Sequence, residues 1–215
     1  IDLCDIIKIK ILKKNKDKIN FRGPFARLVK NKDNSVSKLL QRLRELKMIS
    51  NFYSIAITKN IPVFGGLGGG TSNAAFILKH LLKNKINDIL IKKFENIIGS
   101  DLKLFFTKRG FLKDLRTIIQ LKKNQTFYFL LIQPKIKCST KEIYSNVKKF
   151  SKKEHLRKNL INSGNGLLNY LSKSRNDLQF VVENKYPLIK KLLTDIKNES
   201  GCYYSRMSGS GSVCY

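Results

Sequence analysis

With 215 residues, 42% of them hydrophobic, the chain is long enough to bury a core without disulfide or metal staples, as one large domain or two small ones. Its formal net charge of +28 admits a nucleic-acid partner, but the lysines are scattered, as in KILKKNKDK and KKFSKKEHLRKN. No arginine-rich arm or aromatic–basic RNA-binding signature accompanies them, so they read as solvated faces, and no specific nucleic acid is expected. Cys4, Cys138, Cys202 and Cys214 show no C-x-x-C spacing, and His80 and His155 lie near none of them, which argues against a zinc cage. Free thiols suit a reducing cytosol, and a cytoplasmic location is expected. Apolar runs such as FYFLLI are too short to span a bilayer as a helix, so no membrane partner is expected. No signal-peptide pattern opens the chain, and IDLCDIIKIKIL already reads as a strand, so a further N-terminal segment is expected before Ile1.

In chain order, residues 3–12 carry β-branched residues with polar alternation and predict a strand, followed by a polar turn from Lys13 to Lys18. Val36, Leu39, Leu40, Leu43 and Leu46 recur at helical spacing, behind Asp33-Asn34-Ser35 as the source of an N-cap. Tyr53, Ile55 and Ile57 alternate with Ser54, Ala56 and Thr58, as in a half-buried strand. Ala74, Leu78, Leu81 and Leu82 share a helix face, and a second helix covers Asn87 to Ile98. Beyond Lys122 the pattern resets. TFYFLLIQP predicts an apolar strand closed by Pro134, and TKEIYSNVKKF a helix. NLINSGNGLLNYL predicts a polar loop and a short helix, and NDLQFVVENKYPLIKKLLTDIKNES one or two helices ending near Gly201. CYYSRMSGSGSVCY predicts strand, glycine turn, strand. The order is α+β in two layers, with no internal repeat and a boundary near residues 120–126.

The most informative stretch is PVFGGLGGGTSNAA at 62–75, with five glycines in six positions between a strand and a helix. Such a loop exposes backbone N–H groups, lets a ligand approach closely, and presents the positive end of a helix dipole, so its natural guest is phosphate. It is not a Walker loop, because no Gly-Lys-Ser/Thr closes it, and it fits the dinucleotide fingerprint poorly. GSD at 99–101 would alone be a turn or cap, and MSGSGS at 207–212 would alone be a hairpin turn.

Taken together, these residues resemble the GHMP small-molecule kinases, the superfamily of galactokinase, homoserine kinase and mevalonate kinase. The form GGLGGGTSNAA is similar to the branch acting on a cytidine diphosphate-linked methylerythritol in non-mevalonate isoprenoid synthesis. So, in order, are LCDIIKI, DNSVSKLLQRL, IGSDLKLFF, QPKIKCSTKEIY, RNDLQFVV and RMSGSGSVCY. The resemblance covers essentially the whole chain. It implies a two-domain α+β GHMP kinase fold. An S5-like N-terminal, ATP-binding domain at 1–122 would lack its first strands, and a smaller α/β C-terminal domain at 123–215 would lack its end. ATP and substrate would bind in the cleft between them.

It further implies transfer of the ATP γ-phosphate to the substrate's C2 hydroxyl, with Mg²⁺ as cofactor and a monomer or homodimer as the assembly. By resemblance Asp101 is the catalytic base. Pro62, Gly65, Gly66, Leu67, Gly68, Gly69, Gly70, Thr71 and Ser72 form the ATP phosphate loop, with Asn34 and Lys59 near the nucleotide. No dedicated metal ligand is implied beyond Thr71 or Ser72. Thr140, Tyr144, Ser208 and Gly209 contact the substrate, with the Tyr144 ring stacking on cytosine and Ser208 to Gly211 closing the cleft floor. The family's lysine beside the catalytic aspartate and its Gly-Tyr-His segment would lie before Ile1. Lys103 stands where the family usually has proline, and FLKDLRT replaces a glycine-containing turn after Gly110. Two other readings compete: a sister kinase acting on homoserine or mevalonate, and a basic nucleic-acid-binding protein with an S5-like domain.

Overall fold

The computed structural model describes residues 2–114, 117–121, 126–151 and 164–215. They fall into two compact units, one of Ile1–Val63 with Gly68–Gln120 and one of Phe64–Leu67 with Leu121–Tyr215. The boundary expected between residues 122 and 123, His155 and the polar start of NLINSGNGLLNYL lie outside the described residues.

In the first unit, β1 (Ile6–Leu12), β2 (Lys18–Arg22) and β3 (Phe52–Thr58) form a sheet ordered β1-β3-β2. β1 runs antiparallel to β3, with Ile7 opposite Ile57 and Ile9 opposite Ile55. β2 runs parallel to β3, with Ile19 opposite Ile55 and Phe21 opposite Ile57. These six side chains pack into the core, as the period of two requires. β2 was not anticipated: it starts at Lys18, inside the stretch that reads as a turn, and only Ile19 and Phe21 carry its pattern. Three helices supply most of the rest of this core, joined by Leu102, Phe105 and Phe106 of a following 3₁₀ turn: α1 (Ser35–Glu45), α2 (Gly69–Leu82) and α3 (Asp88–Ile98). Leu39, Leu43, Ile77, Leu78 and Phe94 are fully enclosed there, and burying such a side chain stabilises by about 1.5–3 kcal/mol. A hairpin of β4 (Gly110–Asp114) and β5 (Thr117–Gln120) follows, where no hairpin was predicted.

The second unit contains α4 (Thr140–Ser145), α5 (Gly164–Lys173), α6 (Asp177–Lys185) and α7 (Pro187–Asn198). Pro187 at the start of α7 explains why the long apolar-periodic stretch makes two helices, since proline suits a first turn and not an interior. α7 ends at Asn198, and Gly201 takes positive φ in the turn beyond it. Three expectations are corrected here. TFYFLLIQP forms no strand: only Ile132 bridges, to Cys214, while Tyr128 and Leu130 are exposed, and an apolar run without a paired ladder has no reason to extend. The helix predicted over TKEIYSNVKKF stops at Ser145, because Ser145 Oγ and Asn146 Nδ2 both donate to Glu142 O and end the backbone ladder. CYYSRMSGSGSVCY is reduced from two strands to a short hairpin, in which Arg206 and Tyr215 exchange backbone bonds and Met207 bridges Cys214.

Candidate active site

Within the first unit two helix N-termini converge. α2 starts at Gly69 behind Gly68, whose φ of 65° lies in the left-handed region that a side chain resists. Its first turn carries no acidic residue, so the positive helix end is not neutralised from within. Ser35, the first residue of α1, stands against it: a Cβ on Gly70 would lie 3.1 Å from Ser35 Oγ. A capping box fixes that start. Asn34 Oδ1 accepts from the amides of Val36 and Ser37, and Ser37 Oγ accepts from the Asn34 amide. Asn34 Nδ2 also donates to Lys30 O and Asn31 O, so its carboxamide is spent on shaping the loop.

Asp101 opens the 3₁₀ turn Leu102–Phe106, yet its side chain makes no capping bond to that turn. Its oxygens face α2 instead. A Cβ on Gly68 would lie 3.1 Å from Asp101 Oδ2, and one on Gly99 would lie 2.9 Å from Asp101 Oδ1 and 3.0 Å from Thr71 Oγ1. A carboxylate, a hydroxyl and the glycine start of a helix thus share one small surface. No group of three or more His, Cys, Asp or Glu side chains gathers into a metal cage among the described residues. Mg²⁺ does not require one, because it usually binds through one or two protein oxygens, waters and substrate phosphates, and the Thr71 or Ser72 hydroxyl at the start of α2 is a donor of that kind.

A buried ionic cluster lies beneath this surface. The Asp5 side chain is 2% exposed and that of Lys59 4%, and the two are ion-paired. Asp5 Oδ1 accepts from the amides of Asn60 and Ile61 at 2.8 Å each, and Oδ2 accepts from Lys59 Nζ and from Asn73 Nδ2. Burial pushes the Asp5 carboxyl up, but the Ile61 amide and the Lys59 and Asn73 side chains outweigh it and hold its pKa below the usual value. A depressed carboxylate pKa gives stability that is present above the unfolded value, about 3.9, and is lost as pH falls through the folded value. Chemical denaturation at pH 7 and below pH 4 should therefore show an acid loss that shrinks in Asp5→Asn/Lys59→Met, which has no carboxylate to protonate. An equal loss in both proteins would contradict this.

Within the second unit, Phe64–Leu67 are held by the C-terminal hairpin. Ser212 N donates to Phe64 O, Val213 N to Gly65 O, and Ser208 Oγ to Gly66 O. Gly66 has φ of 70°, and a Cβ there would lie 2.0 Å from Ser208 O, so only glycine fits. Asn176 caps α6 through Leu178 N and donates to Met207 O and Gly209 O, which ties the NDL and MSGSG stretches together. Thr140 Oγ1 lies 2.9 Å from Ser210 Oγ, and Tyr144, on the same helix, is 53% exposed.

The expected site residues thus group in two sets. Asn34, Lys59, Pro62, Gly68, Gly69, Gly70, Thr71, Ser72 and Asp101 belong to the first unit, and Gly65, Gly66, Leu67, Thr140, Tyr144, Ser208 and Gly209 to the second. Ser72 N closes the first turn of α2 on Gly68 O. Lys59 is enclosed with Asp5 rather than open at the surface. Sequence reasoning missed Ser35, Asn73 and Asp5. The last had one signal, a lone acidic residue entering a β-branched run.

The GHMP kinases N terminal domain family matches residues 34–98, and the GHMP kinases C terminal family matches residues 153–215. The 4-diphosphocytidyl-2-C-methyl-D-erythritol kinase of Pelagibacter ubique is 38% identical over 99% of this chain and 76% of its own length. The enzyme of the same name from Anaplasma marginale is 30% identical over all of this chain and 75% of its own. Among solved structures, a 4-(cytidine 5'-diphospho)-2C-methyl-D-erythritol kinase is similar with TM-score 0.69 at 20% identity, over 99% of this chain and 76% of that one. A homoserine kinase from Cytophaga hutchinsonii is similar with TM-score 0.63 at 18% identity, over 98% and 75%, a likeness of fold.

Proposed function

The chain belongs to the GHMP kinase family, with its two-domain α+β fold, and from that premise we propose that it phosphorylates 4-diphosphocytidyl-2-C-methyl-D-erythritol at the C2 hydroxyl, with ATP as donor. The observation that carries the chemistry is the Asp101 carboxylate set against the glycine start of α2. The substrate follows from relatives of that activity that match nearly the whole chain.

Phosphoryl transfer asks for positioning and charge stabilisation more than for covalent chemistry. The amides at the start of α2, Gly69, Gly70 and Thr71, receive the ATP phosphates, and Gly68 keeps the approach open. Gly65, Gly66, Leu67 and Pro62 shape the loop that leads there. Asp101 accepts the proton of the C2 hydroxyl as its oxygen bonds to the γ-phosphorus, the bond from that phosphorus to the bridging β-oxygen breaks, and ADP leaves. Mg²⁺, held through the Thr71 or Ser72 hydroxyl and the phosphates, would supply neutralising charge. Thr140 and Tyr144 take the cytidine part, with the exposed Tyr144 ring available for stacking, and Ser208 and Gly209 meet the substrate from the floor of its site.

ATP consumption measured with the cytidine diphosphate-linked alcohol, homoserine and mevalonate tests the reading; turnover of either of the last two in preference to the first sinks it. Tyr144→Ala should raise KM for the cytidine substrate about five- to 150-fold, since base–aromatic stacking is worth roughly 1–3 kcal/mol. KM for ATP should stay close to wild type. Steady-state kinetics with each substrate varied checks this, and equal effects on both would remove Tyr144 from the cytosine site.

A further inference from the structure

The buried ionic cluster has no part in the reaction steps above, yet it touches both ends of the stretch that carries the phosphate loop. We propose that Asp5 is a positioning residue for that loop: one enclosed carboxylate clamps the chain entering the glycines, through the Asn60 and Ile61 amides and the Lys59 ammonium, to the phosphate helix, through Asn73. The inference rests on reading the start of α2 as the ATP phosphate site.

The geometry is specific. Asp5 lies just before β1, and its two oxygens divide the work. Oδ1 takes two successive amides at the exit of β3, and Oδ2 takes Lys59 Nζ and, at 2.9 Å, Asn73 Nδ2 in the second turn of α2. Asn60 Nδ2 closes the arrangement by donating to Cys4 O, 3.0 Å away. A Cβ on Gly69 would lie 2.9 Å from Ile61 Cγ2 and 3.3 Å from Lys59 Nζ, so the clamped segment is in contact with the first residue of the helix. A small displacement of residues 59–61 therefore moves the amides that meet phosphate.

The charge arrangement points the same way. Lys59 places an enclosed ammonium beside the positive end of α2, which is unfavourable for both unless a carboxylate neutralises it. Asp5 is that carboxylate. Without it, Lys59 would be a buried, unpaired cation, and the strand exit would lose the acceptor for two amides. This gives Lys59 a different task from a direct nucleotide contact: it is one arm of the clamp.

Removing Asp5 alone risks unfolding, so two gentler variants carry the test. Asn73→Ala cuts only the tie to the helix and leaves the ion pair. Asp5→Asn/Lys59→Met removes both charges together at similar volume, an exchange that buried pairs often tolerate. In each, thermal melts report the fold, ATP titration reports the loop, and kinetics separates KM for ATP from KM for the alcohol substrate. The expected result is a KM for ATP raised about tenfold or more, the size of a 1.4 kcal/mol loss, with KM for the alcohol substrate within about twofold of wild type. A cluster that only holds the fold would lower the melting temperature and leave this split absent. Unchanged ATP affinity in folded variants, or an equal rise for both substrates, overturns the inference while the kinase reading stands. A wild-type protein that binds no ATP overturns both.

Discussion

Gly68→Val is expected to abolish ATP binding in a protein that still folds. Gly68 holds φ of 65° as the residue before α2, where a β-branched side chain is strained by about 1–3 kcal/mol. That strain falls at the edge of the core, and the helix behind it keeps its apolar face: Ala74, Ile77, Leu78 and Leu82 are all buried. The ligand's side has no such reserve. The first carbon of the new side chain would stand 3.1 Å from Asp101 Oδ2 and 3.1 Å from Phe105 Cζ, and its methyl groups would occupy space that a phosphate needs. Hydrogen bonds to a charged group are worth about 1.5–3 kcal/mol each, so losing two of them weakens binding by more than about a hundredfold. Calorimetric titration with ATP, beside a thermal melt, measures both halves of the claim. Near-wild-type affinity in a folded Gly68→Val protein would remove the start of α2 from the phosphate site.

Much of this site is legible in the sequence because it is local. A glycine with positive φ, a capping box at Asn34 and a helix beginning within a glycine run are decided by neighbours in the chain, and the letters GGLGGGTSNAA and DNSVS carry them. The helices α1 and α3 read out for the same reason, with a polar cap followed by apolar residues at helical spacing. What stayed hidden depends on distant partners. Asp5 meets residues 54 to 68 positions away, and nothing in LCDII announces that its carboxylate will be enclosed by two amides, a lysine and an asparagine. β2 is a strand because β3 lies beside it, and five residues with two apolar side chains cannot state that on their own. The failure of TFYFLLIQP is the converse: its letters favour a strand as strongly as those of β3, and beyond the single Ile132–Cys214 bridge it lacks a paired neighbour. The MSGSG hairpin sits between the two cases. Its glycines mark a turn, but that the turn would grip the carbonyls of Phe64, Gly65 and Gly66 is a fact about residues some 140 positions apart.

Asp101→Asn should lower kcat by about 10²–10⁴, the usual share of general base catalysis, while leaving the affinity for both substrates close to wild type. The substitution keeps the size of the side chain and an oxygen able to accept a hydrogen bond, and it removes the charge and the basicity. A rival role for this residue is structural, as the cap of the turn Leu102–Phe106. Two considerations set the roles apart. The Asp101 side chain makes no capping bond to that turn, so there is no cap for the change to break. Even where a cap exists, asparagine serves about as well as aspartate, so a purely structural residue would tolerate the exchange in rate and in stability alike. The position favours the chemical role. Its oxygens border Gly68 and, across Gly99, the Thr71 hydroxyl, where a phosphate on the α2 amides would present its γ-phosphorus to an incoming alcohol. A base there takes the proton only as the new bond forms, so its loss should appear in kcat and not in binding. Steady-state rates with both substrates saturating, paired with titrations of each, measure the split. A folded Asp101→Asn enzyme that turns over at the wild-type rate would end the assignment of Asp101 as the base, and one whose substrate affinities collapse along with kcat would recast it as a binding residue.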